Sequence, residues 1–170
     1  MGYETRIYVV YGLDNRPWEH DGKSVLTGVE IASLDLCKCG DGAVSNIINS
    51  HKIKDDNHPL YALYTRTTDE NDTYVDFLRE LSENENFVKI LEEHNSDVST
   101  FQKMVNNIED GLVTRDLYND KIVCVPAVHF LEALKEDQQQ EKYRRFEIAI
   151  ALLTSILVHF PTAQVLTYGH

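Results

Sequence analysis

The sequence predicts an α+β fold: a single layered domain over residues 1–170, with a mixed or antiparallel sheet of about four to six strands packed by helices. The β-branched and aromatic runs are grouped, rather than alternating strictly with helical segments. A long apolar segment near the C-terminus has the length of a core helix. The chain contains no internal repeat and no linker that would divide it.

The first half of the chain is expected to supply most of the sheet. Residues 5–11 (TRIYVVY) are β-branched and aromatic and predict a first strand that ends at Gly12. The polar segment 13–24, which contains Pro17, predicts an exposed loop. Residues 25–39 return to strand composition and predict a strand or a hairpin arm.

A short helix and a third strand are expected next, followed by three acidic amphipathic helices. Residues 43–49 predict one or two helical turns, and residues 60–67 (LYALYTRT) predict the strand. Ser82 with Glu85 has the spacing of a capping box at the start of the second acidic helix. The apolar positions with helical spacing are Tyr74, Phe77, Leu78 and Leu81, then Phe87, Ile90 and Leu91, then Phe101, Met104, Val105 and Ile108.

The remaining elements are a hairpin, two helices and a last strand. Asn119 and Asp120 lie between two strand-like runs and favour a tight turn, because such residues tolerate positive φ angles. Helices are predicted over 128–140 and 141–160, and a short strand over 163–168. The stretch 148–160 is apolar nearly all round, which predicts the central core helix, and it is too short to span a bilayer.

Most of the negative charge lies in residues 69–110. This quarter of the chain has twelve carboxylates and three basic residues, a net charge of −9 out of −12. With the apolar faces of the three helices turned inward, the opposite faces present carboxylates to water. The residues predicted to form this acidic binding face are Asp76, Glu80, Glu83, Glu92 and Glu93.

This charge distribution favours a basic protein partner. A concentrated negative field attracts cationic surfaces and repels phosphates over about 8 to 10 Å in ordinary salt. A pI near 4.9, without clustered lysine and arginine, also excludes direct nucleic acid binding, because the counterion-release contribution to affinity is missing.

Arg16 and Trp18 form a second candidate contact surface. Trp18 is the only tryptophan and lies beside Arg16 in a polar segment, and both residue types dominate binding hot spots. The alternative is that Trp18 folds back over the end of the sheet.

Cys37, Cys39, His51 and His58 are the best metal candidates, because zinc accepts these residue types as tetrahedral ligands. Their spacing does not fit a closed site, since Cys-x-Cys is tighter than the usual knuckle, so no metal is predicted. The alternative hypothesis is a small metal- or cysteine-dependent enzyme built on these four residues. Cys124, in an apolar run, has no base that the sequence can place beside it.

The sequence therefore favours a small acidic binding or regulatory protein without a cofactor. Phosphate-binding glycine loops, zincin motifs and EF-hand motifs are missing, so no enzyme class is indicated. The absence of a signal-peptide pattern and the three cysteines, an odd number, predict a cytoplasmic protein that contacts no membrane. A structural or assembly subunit, including a homo-oligomer, is the further alternative.

Overall fold

A computed structural model describes residues 4–20, 23–38, 41–55, 58–64, 80, 83–93, 112–116 and 118–169. The fold is mixed α+β, as the sequence predicts. Its strands are β1 (Glu4–His20), β2 (Lys23–Lys38), β3 (Leu60–Tyr61), β4 (Leu63–Tyr64), β5 (Leu112–Val113), β6 (Val123–Pro126) and β7 (Gln164–Gly169). Its helices are α1 (Ala43–Ser50), α2 (Glu85–Glu93), α3 (Ala127–Gln140) and α4 (Arg144–His159).

Five strands form one mixed sheet in the order β3-β2-β1-β7-β6. The β1–β2, β1–β7 and β7–β6 pairs are antiparallel, whereas β3 runs parallel to β2 at one edge. The chain's two ends meet in this sheet, because Ile7 of β1 pairs with Thr167 of β7. Strands β4 and β5 form a separate antiparallel pair.

The prediction of an exposed loop over 13–24 is wrong for most of that segment. Strand β1 continues to His20, and β2 begins at Lys23. The strand passes Gly12 with a positive φ of 62°, which glycine adopts without a steric penalty. Register irregularities between Tyr11 and Asp14 and between Arg16 and Glu19 accommodate the glycine and Pro17. Pairing with β2 therefore overrides local turn signals.

Each face of the sheet carries its own core. On one face, Ile7 and Val9 of β1 pack with Phe130, Leu134 and Leu153 from helices α3 and α4. The strand residues that alternate with these point to the other face, where Val10, Cys124 and Leu166 pack with Ile122 and Leu63. This alternation follows from the two-residue period of a strand.

Helix α4 is present where the sequence predicts a helix, but its role as a central core helix is not confirmed. Phe146, Ala149 and Leu153 are buried, whereas Ile148 is 48% exposed and Val158 is 74% exposed. The helix lies on the sheet and packs against α3 and β2. Only one side of it is covered, so its apolar composition does not reflect complete burial.

The turn around Asn119 has the positive φ that the sequence predicts, at 66°. Arg115 and Lys121 form an antiparallel bridge on either side of it. The buried carboxylate of Asp116 accepts backbone hydrogen bonds from Tyr118 and Asp120 at 2.9 Å through Oδ1. Its other oxygen, Oδ2, accepts a third bond from the Gly169 backbone N–H at 3.2 Å, which ties the turn to the end of β7.

Several other predicted elements agree with the structure within a few residues. These are the helix at 43–49, the helix at 128–140, the strand at 163–168 and the strand at 25–39. The first and third acidic helices lie mostly outside the described residues. No helix in the described ranges is long and apolar enough to cross a bilayer.

Candidate functional site

Helix α2 is the described part of the acidic segment, and Asn84 sets where it begins. The Asn84 Oδ1 accepts hydrogen bonds from the backbone N–H groups of Asn86 at 3.0 Å and Phe87 at 3.2 Å. These are the amides that an N-cap residue satisfies. The structure therefore assigns the cap to Asn84 and starts the helix at Glu85, in place of the capping box predicted from Ser82.

The carboxylates that the structure describes in this region face solvent. The side chains of Glu80, Glu83, Glu92 and Glu93 are exposed, as the amphipathic pattern predicts. None of these four makes an ion pair in the part of the chain that the structure describes. Asp76, the fifth predicted member of the face, lies outside the described residues.

The apolar side of α2 is only partly covered. Phe87 and Val88 are half-buried, and Ile90 is 51% exposed. Helix α2 contributes no buried side chain among the described residues, in contrast to α3 and α4. The helix thus presents an acidic side and, at Ile90, an accessible apolar side chain.

Arg16 and Trp18 lie on β1 near the closed end of the β1–β2 hairpin, where Arg16 pairs with Val25. The structure describes the backbone of both residues and not their side chains. Their role as a contact surface stays a prediction.

The four metal candidates come from separate elements. Cys37 lies near the end of β2, His51 is the C-cap residue of α1, and His58 is exposed just before β3, whereas Cys39 lies outside the described residues. The His51 Nδ1 lies 3.0 Å from the carbonyl oxygen of Ile47, a contact in which the ring N–H donates. Among the described residues, no three His, Cys, Asp or Glu side chains form a group that could hold a metal ion.

Cys124 lies in the second core, on the sheet face opposite α3 and α4. Burial raises the pKa of its thiol to about 12, and its Sγ lies 3.4 Å from the Gln164 Oε1, to which it donates. Burial also raises the pKa of the neighbouring Tyr61 hydroxyl. A thiol with a raised pKa stays protonated at neutral pH and is a poor nucleophile.

The sequence gives no sign of a contact between α3 and the N-terminus of α1. The Asp137 carboxylate accepts hydrogen bonds from the backbone N–H groups of Ala43 at 2.6 Å and Val44 at 2.9 Å. These groups come from segments more than 90 residues apart, so no local pattern could indicate the contact. A carboxylate at a helix N-terminus satisfies free amides and complements the helix dipole.

This contact lies in an open cleft of about 500 Å³, lined by Asp41, Gly42, Asp137, Gln140, Glu141, Tyr143 and Phe146. The Tyr143 hydroxyl donates a hydrogen bond to Glu141, which raises the pKa of the phenol. The rings of Tyr143 and Phe146 are 5.2 Å apart. Within this cleft, both oxygens of the Asp137 carboxylate already accept hydrogen bonds from the start of α1.

No protein-family model matches this chain, and comparisons with curated proteins and with solved structures find no significant match. Its function must therefore be inferred from its own residues and their arrangement.

Proposed function

We propose that this chain is a small acidic binding or regulatory protein that acts through contact with a basic protein partner. The contact surface is the acidic segment 69–110, and its described part centres on α2. The observation that supports this proposal most directly is the set of exposed carboxylates at Glu83, Glu92 and Glu93, which have no ion-pair partner within the described residues.

Unpaired exposed carboxylates favour association more than they favour folding. An exposed charge on a helix changes stability by only tenths of a kcal/mol. The same charges, concentrated on one segment, steer a cationic partner and raise its association rate by roughly 10- to 1,000-fold at low salt. The partial exposure of Ile90 adds an apolar contact beside these charges.

The chemistry of the partner follows from the sign of the charge. A surface rich in lysine and arginine is attracted, whereas the phosphates of DNA and RNA are repelled. The partner is therefore a basic protein, and a nucleic acid is not the ligand.

The test compares two variants that carry the same net charge. In the α2 variant, Glu83, Glu92 and Glu93 are changed to Lys. In the control variant, the exposed residues Glu30, Glu132 and Glu136, on β2 and α3, are changed to Lys. Each Glu→Lys change replaces a negative charge by a positive one and raises the net charge by two, so both variants carry a net charge of about −6 in place of −12.

The three proteins are immobilised and exposed to native lysate at low and high salt, and the captured proteins are identified by mass spectrometry. We expect a basic protein bound by the wild type and the control at low salt, released at high salt, and missing from the α2 variant. Equal capture by all three proteins, or capture that does not respond to salt, would contradict the proposal. The acidic segment would then contribute to solubility and not to recognition of a partner.

A further inference from the structure

We draw no further inference here: the strongest candidate, the open cleft beside the start of α1 where Asp41, Asp137 and Glu141 lie near the ring of Tyr143, is a cluster of acidic side chains, and nothing else in the part of the chain that the structure describes points to a ligand there.

Discussion

The contact between Asp137 and the start of α1 leads to a quantitative prediction about stability. Asp137→Ala removes a carboxylate that accepts two backbone N–H bonds, from Ala43 and Val44. An N-cap is worth about 0.5–2 kcal/mol, and a hydrogen bond to a charged group about 1.5–3 kcal/mol. Because the contact is only partly buried, we expect the free energy of unfolding to fall by about 2 kcal/mol. Asp137→Asn, which keeps one acceptor oxygen, should cost about 1 kcal/mol.

Gly42 provides an independent check on the same contact. A Cβ at this position would lie 2.6 Å from the Asp137 Oδ1, so Gly42→Ala must push the carboxylate aside. The φ of Gly42 is −176°, extended backbone that alanine also adopts, so the cost comes from the displaced carboxylate. Gly42→Ala should therefore destabilise the wild type by about 1–2 kcal/mol and should be nearly neutral in the Asp137→Ala background.

Urea denaturation of the four proteins, followed by circular dichroism, measures this double-mutant cycle. Glu136→Ala, a change at the exposed neighbour of Asp137, is the control and should alter stability by less than about 0.5 kcal/mol. The reasoning is refuted if the two single changes add to within about 0.5 kcal/mol in the double variant. It is also refuted if Asp137→Ala costs no more than Glu136→Ala.

Two further predictions concern the cores. Leu153→Ala should lower the free energy of unfolding by about 2–5 kcal/mol in the same assay, because Leu153 is fully buried. Leu152→Ala should lower it much less, because Leu152 is half-buried. Equal losses of stability would contradict the placement of α4. For Cys124, the folded state holds the thiol proton up to a pKa of about 12, against 9.0 for an unperturbed thiol. Stability should therefore fall as pH rises from about 9 to 12, by about 1.4 kcal/mol per pKa unit, and Cys124→Ala should flatten this dependence; an unchanged slope would contradict it.

The sequence predicts the elements whose signals are local. Helices α1 and α3 and strand β7 agree with their predicted ranges to within one or two residues. Their signals are adjacent in the sequence: Gly42 directly precedes α1, Pro126 directly precedes α3, and the apolar periodicity lies within the elements. The extension of β1 could not be predicted from composition, because Gly12 and Pro17 are typical of loops. The strand continues past them because it pairs with β2. A ladder between distant segments overrides such local preferences.

Burial in α4 was mispredicted for a related reason. Apolar residues on every side of a helix predict that the whole helix is buried, but they do not indicate which neighbouring element covers each side. The fold covers the side of Leu153 and leaves Val158 exposed. Likewise, the exposure of Glu92 and Glu93 follows from amphipathic spacing, whereas no residue of the acidic segment specifies which partner it binds.

The most direct test of the proposed function is the rate of association with the purified basic partner, measured by stopped-flow fluorescence at two salt concentrations. We expect the α2 variant, with Glu83, Glu92 and Glu93 changed to Lys, to associate at least roughly tenfold more slowly than the wild type at low salt, and the difference to shrink at high salt. The control variant, with Glu30, Glu132 and Glu136 changed to Lys, should stay within about threefold of the wild type. Equal slowing of both variants would mean that only net charge matters, and unchanged rates in both would contradict recognition through α2.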